Sequence, residues 1–243
     1  MMTLLEEGLV MQPVSLLITT CVLFVGSHLA LSHPLRDGLA ARLGERGFQI
    51  TYSIVAIATF IMVVQAWRGM PPEPPLWAVD DPLWILASLI VLFASILFIG
   101  SLIGNPALPA PHAARDAAAK PRGVFAITRH PMMWGFALWA FAHVLVMPTT
   151  AQIILSATIV FLAIVGSAGQ DAKKARLMGD AWRQWAARTS FVPYARQVGG
   201  GAPWADTIPR PHALLGGIML WLVATWAHGA LGYMVAGIWR WMG

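Results

Sequence analysis

The residues of this chain most able to do chemistry are histidines within long apolar stretches. Residues 129–143 read RHPMMWGFALWAFAH, so His130 opens an apolar run and His143 closes it. Neutral imidazole is a common metal ligand and a frequent axial ligand of haem iron. At about 1.5 Å of rise per residue, the two rings lie about 20 Å apart along a helix, so one iron atom cannot bind both. We therefore expect them to belong to different sites.

Two other histidines supply partners at two depths. His28 lies about one turn before the end of the first apolar stretch, at the predicted depth of His130. His228 lies in the other half of the last stretch, near the predicted depth of His143. Histidines in membrane spans are uncommon and mark functional sites by default, although either outer ring could simply hydrogen-bond a neighbouring helix. The sequence predicts an inner metal-binding pair, His28 with His130, and a reserve pair, His143 with His228.

The inner pair has the better chemical setting for a cofactor. His130 stands at a predicted helix start, with Pro131 suited to the first turn. The positive end of the helix dipole disfavours the imidazolium there, so the ring stays neutral and can bind a metal. Haem has propionates that need cationic partners at a membrane edge, and three arginines are placed to supply them. These residues are Arg129, Arg36 and Arg122. We therefore predict haem as the cofactor.

The elements that must position these residues are transmembrane helices. Of the 243 residues, 58% are hydrophobic and only 11% are charged, and the mean hydropathy is +0.66, outside the usual range of soluble domains. Six stretches approach the roughly 17 to 25 apolar residues that cross a bilayer. They are about 14–32, 48–67, 84–104, 131–147, 150–169 and 213–237. We predict an all-α, polytopic membrane helical bundle of about six transmembrane helices, forming one domain over residues 1–243.

The basic residues predict the orientation of this bundle. The loops 33–47, 105–130 and 170–212 hold every Lys and Arg except Arg68 and Arg240. Because cytoplasmic loops are enriched in these residues, we expect both termini on the non-cytoplasmic side. The first stretch follows Glu6 and Glu7 instead of a basic leader, which predicts a retained helix and no signal peptide. The net charge of +5 then reflects this bias and contact with membrane lipid, and it indicates no nucleic-acid partner.

Residues 170–196 have the pattern of an amphipathic helix on the cytoplasmic side of the membrane. Basic residues alternate there with apolar ones, and Trp182 and Trp185 are expected to serve as interfacial anchors. The functional alternative is a lid over the inner pocket, with Asp171 or Arg188 reaching the ligand.

Three stretches carry a resemblance to a known family. GSHLALSHPLR, RHPMMWGFALWAFAHVL and GDAWRQWAARTSFVPY resemble the NnrU family of bacterial inner-membrane proteins, which is linked to nitrite and nitric oxide respiration. The family includes zeta-carotene isomerase, so the resemblance implies histidine-ligated haem b and isomerisation of a cis double bond in a polyene. It places the haem ligands on His28 and His130, with His143 in reserve. A hydrophobic polyene or a small gas ligand would then be the molecule bound at the iron.

A second resemblance competes with the first. RHPMMWG, followed by GDAWRQWAARTSFVP, is similar to membrane methyltransferases of the isoprenylcysteine and phospholipid type. Gln170 and Asp171 stand where that family has paired glutamates, so a site for S-adenosylmethionine would lack one carboxylate. Three functions therefore stay open: a haem protein, including a haem-dependent isomerase, a methyltransferase, and a non-catalytic membrane accessory or assembly factor.

Overall fold

The computed structural model describes residues 12–108 and 111–242, and every regular element in these ranges is helical. The predicted all-α class is confirmed. Glu6 and Glu7, which supported the prediction of a retained first helix, lie outside the described residues. The α-helices are α1 (Pro13–Ser32), α2 (Arg36–Arg68), α3 (Asp81–Gly100), α4 (Ala113–Ala118), α5 (Val124–Ile127), α6 (Pro131–Val146), α7 (Thr150–Met178), α8 (Asp180–Arg188), α9 (Ala195–Val198) and α10 (Pro211–Ala230). Short 3-10 helices follow at Trp204–Thr207 and Gly237–Trp241.

Five of these helices, α1, α2, α3, α7 and α10, are long and apolar enough to cross a membrane. Each coincides with a predicted span. The remaining predicted span is α6, which has only 16 residues and is therefore about 24 Å long, against a hydrocarbon core of about 30 Å. It ends at Val146 because Pro148 disfavours the helical conformation of the residue before it. The bundle is polytopic as predicted, with one helix shorter than a full span.

Local sequence signals explain where the helices begin. Proline occupies the first turn of α1, α3 and α10 and is also the first residue of α6, where its missing N–H costs no hydrogen bond. The carboxylate of Asp80 caps α3 by accepting a hydrogen bond from the Leu83 amide at 3.1 Å. The proline at the start of α6 places His130 just outside the helix.

Contacts divide the chain into two compact units, of which the first runs to Trp77 and adds Met147–Thr158. In this unit α1 and α2 pack together, and a small core forms around Leu17, Cys21 and Val63. Gly44 interrupts α2 with φ 71° and ψ 164°, a conformation that glycine adopts without a steric penalty. The predicted loop before the second span is therefore largely helical, and the break at Gly44 falls within its basic part, between Arg42 and Arg46.

The second unit contains Ala78–Val146 and the chain from Ile159 onward. Here α6 and α10 both pack against α3, at points where glycine allows close approach. A Cβ on Gly135 would lie 3.0 Å from the Ala94 carbonyl oxygen, and one on Gly217 would lie 2.6 Å from the Ile96 Cα. Small residues at such crossings let membrane helices approach closely, so these glycines allow α6 and α10 to pack against α3.

The predicted amphipathic helix over 170–196 is present but shorter than expected. The helix α7 continues into this segment, Gly179 ends it with φ 55°, and α8 supplies the amphipathic part. Trp182 and Trp185 are 1% and 2% exposed and belong to the core of the second unit, where the Trp185 ring lies 5.9 Å from that of Phe125. Their predicted role as membrane anchors is wrong, because this aromatic face packs against protein.

Candidate functional site

An extended link between α5 and α6 presents Arg129 and His130 side by side. Thr128 has φ −156° and ψ 153°, and its hydroxyl donates to the Phe191 carbonyl at 2.7 Å. The Arg129 amide donates to the Ser190 carbonyl at 2.8 Å. Because a proline follows His130, that residue also disfavours the helical conformation. These hydrogen bonds hold the backbone of the link without involving the side chains of Arg129 or His130.

Asp171 on α7 receives both side chains of this link. Arg129 donates to the carboxylate from Nε at 2.8 Å and from Nη2 at 2.5 Å. The Nε2 of His130 lies 2.8 Å from Asp171 Oδ1. The Arg129 guanidinium also covers the Phe191 ring at 5.3 Å. The side chains of Arg129, His130 and Asp171 are only 15%, 0% and 20% exposed, so this is a largely buried ionic cluster.

The cluster fixes the tautomer of His130. A carboxylate only accepts, so Nε2 carries the proton and Nδ1 carries the lone pair when the ring is neutral. Nδ1 is buried and has no hydrogen-bond partner among the described residues, and the rings of Phe191 and Trp182 lie 5.4 and 6.5 Å from the imidazole. Asp171 thus orients His130 while Arg129 balances the carboxylate charge.

Sequence reasoning named the members of this cluster but did not bring them together. It treated Asp171 as a lid residue or as the counterpart of a methyltransferase glutamate. The resemblance to the methyltransferases was the one signal for this contact. In that family's pattern the RHP element is followed along the chain by an acidic position, which is Asp171 here. In the structure, Arg129 and His130 occupy that carboxylate.

Tyr194 stabilises the backbone segment after α8, which contacts the link between α5 and α6. It has φ 61°, a left-handed conformation uncommon for a non-glycine residue, and its amide donates to the Ile127 carbonyl at 2.9 Å. Its ring stacks on Phe93 at 6.2 Å and on Trp204 at 5.7 Å. Burial raises the pKa of the Tyr194 hydroxyl above its ordinary value, so this ring stays neutral at physiological pH.

Three histidines on the membrane helices share a different tautomer. The Nδ1 of His28 lies 3.0 Å from the Phe24 carbonyl oxygen, and that of His143 lies 2.8 Å from the Trp139 carbonyl oxygen. In His228 the same atom lies 2.7 Å from the carbonyl oxygen four residues earlier. A carbonyl oxygen only accepts, so Nδ1 donates and Nε2 carries the lone pair in each neutral ring. All three therefore present the nitrogen that commonly binds metals.

His143 and His228 come together in the second unit, at the depth where the sequence predicted an outer pair. Their ring centroids are 6.2 Å apart and the ring planes differ by 33°. Trp139 lies against His143 with a centroid distance of 4.1 Å, and Tyr233 lies 6.5 Å from His228. Both histidines are half-buried. His28 belongs to the first unit, where its ring lies 5.5 Å from that of Tyr52.

The predicted partners of the haem propionates lie in different settings. Arg36, in the first unit, donates to Glu45 at 2.7 Å and covers the Phe48 ring at 5.4 Å. Arg129 is held by Asp171, as described above. Arg122 is exposed. The propionate roles of these residues stay predictions. Within residues 12–108 and 111–242, no three or more His, Cys, Asp or Glu side chains are grouped so as to hold a metal ion.

The fold and the site define a multi-pass membrane protein with histidines fixed inside its helical bundle. The chain belongs to the NnrU protein family, whose model matches residues 16–236. It is similar to the chloroplastic 15-cis-zeta-carotene isomerase of Arabidopsis thaliana, with 25% identity over 182 residues, which cover 66% of this chain and 44% of the relative. The chain thus spans less than half the length of that protein. No solved structure matches the chain.

Proposed function

We propose that this NnrU-family protein binds haem b inside the membrane, with His143 and His228 as the axial ligands. The observation that carries the proposal is the 6.2 Å separation of their ring centroids. Each neutral ring has its Nε2 lone pair available, because its Nδ1 is bonded within its own helix. His143 and His228 would therefore hold the cofactor, which would supply redox chemistry there.

The residues around the pair support a haem site. Each Nδ1–H is held by a carbonyl oxygen of its own helix, which orients the ring and increases the basicity of Nε2. The pair supplies two nitrogens, and haem needs two axial ligands because its macrocycle supplies the other four. The rings of Trp139 and Tyr233 lie next to His143 and His228, with centroid distances of 4.1 and 6.5 Å. The helices α6 and α10 both rest on α3, which holds the two histidines at one height.

Haem in this position would supply one-electron redox chemistry within an apolar environment. The similarity to 15-cis-zeta-carotene isomerase supports an apolar polyene with a cis double bond as the substrate class and isomerisation as the reaction. The NnrU family resemblance supports a second role, linked to nitrite or nitric oxide respiration, in which the bound molecule is a small gas. We favour the first role because of this similarity to an isomerase of a cis double bond.

The inner pair, His28 with His130, stays the alternative ligand set. His28 presents Nε2 just as the outer histidines do. His130 offers a lone pair only at Nδ1, because Asp171 holds its Nε2. Geometry therefore favours the outer pair, since Nδ1 is the more hindered nitrogen for an axial ligand. The same cluster argues against the methyltransferase alternative, because Arg129 already balances the carboxylate that S-adenosylmethionine would need.

We further propose that the protein lies in the bacterial inner membrane with both termini on the non-cytoplasmic side. The support is the concentration of Lys and Arg in residues 33–47, 105–130 and 170–212. Fusion of green fluorescent protein to the C-terminus should give membrane-bound protein without fluorescence, whereas a fusion within residues 199–203 should fluoresce. Fluorescence of the C-terminal fusion contradicts this orientation.

An absorption spectrum of the detergent-purified protein, oxidised and reduced, tests the central proposal. We expect a Soret band, a b-type pyridine haemochromogen, and low-spin bands that are lost in both His143→Ala and His228→Ala. His112→Ala, at an exposed position outside the membrane helices, serves as the control. A colourless, iron-free preparation refutes haem binding. Loss of the low-spin bands in His28→Ala and His130→Ala, with the outer variants unaffected, moves the site to the inner pair.

A further inference from the structure

A small recess lies in the second unit where α3 ends and α10 begins. Five of its eight lining residues are apolar or glycine, and three are basic. The lining residues are Gly100, Ile103, Arg122, Val124, Phe125, Arg210, His212 and Ala213. Because Gly100 is the last residue of α3 and Ala213 lies in the first turn of α10, the recess is at the membrane end that carries the basic loops.

The basic side chains of this recess, those of Arg122, Arg210 and His212, have no hydrogen bond or ion pair with any described residue, and all three are exposed. The neighbouring carboxylate, Asp206, is bound by Lys120 at 2.8 Å. The local charge is therefore positive and free to attract an anion.

The backbone brings the two arginines together. Gly123, which follows Arg122, has φ 61°, and its amide donates to the Asp206 carbonyl at 2.7 Å. A Cβ at this glycine would lie 3.5 Å from the Arg210 amide nitrogen. The backbone segment that carries Arg122 thus contacts the segment that leads into α10.

The start of α10 is electrostatically unfavourable without a ligand. Its first turn has no acidic residue and its N-cap, Arg210, gives no side-chain cap. Cations at this end oppose the helix dipole. An anion between Arg210 and His212 would reverse this effect and would also face the free amides of the first turn.

Apolar side chains continue from the recess along the helices. Ile103 is 59% exposed, and Leu214 and Leu215 on α10 are 41% and 67% exposed. A cationic recess that adjoins an exposed apolar surface at a span end matches a molecule with an anionic head and hydrocarbon tails.

We infer that the recess formed by Arg122, Arg210 and His212 binds the phosphate of an anionic phospholipid, whose acyl chains lie along Ile103, Leu214 and Leu215. This binding is independent of the proposed haem site, because His143 and His228 lie at the opposite ends of α6 and α10. It assigns Arg122 to a lipid phosphate, whereas the sequence predicted that Arg122 pairs with a haem propionate.

Native mass spectrometry of the delipidated full-length protein, titrated with single lipids, tests this inference. The wild type should bind phosphatidylglycerol at least about tenfold more tightly than phosphatidylcholine, because two guanidiniums face the phosphate without an opposing carboxylate. Arg122→Gln/Arg210→Gln should remove that preference. Arg122→Lys/Arg210→Lys, which keeps both charges, should retain most of it and shows that loss in the first variant is not misfolding.

A matched control changes the same number of charges elsewhere. Arg176→Gln/Arg183→Gln alters two exposed arginines outside the recess and should leave the preference intact. Equal binding of the two lipids by the wild type, or an equal loss in this control, overturns the inference. Competition by inorganic phosphate as strong as that by phosphatidylglycerol shows a free-anion site and overturns it also. So does a Soret band that disappears in Arg122→Gln/Arg210→Gln while lipid binding is unchanged.

Discussion

His143 and His228 lie close together near the C-terminal ends of α6 and α10, with ring centroids 6.2 Å apart and each Nδ1 bonded within its own helix. This relationship fixes both orientation and tautomer, because neither ring can turn without losing its hydrogen bond. Two lone pairs are thereby held in place before any ligand binds. Such preorganisation decreases the entropy lost when a cofactor enters.

Removing one imidazole should leave a gap that free imidazole can fill. With haem bound as proposed, we expect the low-spin spectrum to become high-spin in His228→Gly, because one of the two proposed ligands is missing. Millimolar imidazole should restore the low-spin bands in this variant and leave the wild-type spectrum unchanged. The measurement is a titration followed at the Soret band.

The His28→Gly variant is the counterpart for this titration, because its tautomer is the same but it lies in the other unit. It should keep the low-spin spectrum without added imidazole. A spectrum that depends on imidazole in His28→Gly, but not in His228→Gly, would falsify the assignment of the outer pair.

The depth of the histidines was predictable because it depends only on helix rise and on the apolar stretches. That reasoning placed His143 near His228 without any knowledge of packing. The contact between His130 and Asp171 was not predictable in the same way. This contact requires α7 to extend beyond its apolar part, so that its C-terminal end lies next to the start of α6. Apolar periodicity does not show which helix ends lie close together.

Other differences have equally local causes. Trp182 and Trp185 have the spacing of an interfacial helix, but sequence cannot tell whether the apolar face of such a helix meets lipid or protein. Glycine permits the kink at Gly44, but many other glycines in this chain lie within regular helix, so the residue type alone does not predict a kink. The packing of α8 and the position of the kink both depend on tertiary contacts.

Close packing of α10 on α3 depends on Gly217. A Cβ there would lie 2.6 Å from the Ile96 Cα and 2.8 Å from its amide nitrogen, and backbone atoms cannot move aside as a flexible side chain can. Gly217→Ala should therefore decrease the free energy of unfolding by about 2 kcal/mol. Thermal unfolding in detergent, followed by circular dichroism, measures this change.

Gly166 provides the matched control on α7. A Cβ there meets nothing within 4 Å, so Gly166→Ala should be neutral or should stabilise the helix by up to about 1 kcal/mol. Equal destabilisation by the two substitutions would show that the close approach of α10 to α3 does not limit stability.

The burial of Trp182 gives a direct test of where the face of α8 packs. Trp182→Ala should cost about 3 kcal/mol or more, because it empties a core position that is 1% exposed. Trp204→Ala, at a position that is 58% exposed, should cost less than about 1 kcal/mol. If Trp182 were instead a membrane anchor, its quenching by brominated lipids would exceed that of an exposed tryptophan. We expect Trp182 to be shielded from this quenching.

Asp171 should be the most sensitive polar position of the second unit. Asp171→Asn preserves the shape of the side chain but leaves the Arg129 charge, which is only 15% exposed, without a counterion. Breaking a buried ion pair by removing one partner costs about 3 kcal/mol. The exposed pair of Asp180 and Arg183, with side chains 81% and 63% exposed, is the control, and Asp180→Asn should change stability by less than about 0.5 kcal/mol.

A double-mutant cycle separates the pairing of Asp171 from a general effect on folding. Arg129→Gln in the Asp171→Asn background removes the unpaired charge, so the double variant should be less destabilised than the sum of the single variants by at least about 1 kcal/mol. His130 Nε2 keeps an acceptor in Asp171→Asn, since the amide oxygen can take the place of Oδ1. The cycle therefore measures the ionic contact of Arg129 with Asp171 alone. Strictly additive losses would mean that the arginine and the carboxylate contribute to stability independently, and would contradict an energetic coupling between them.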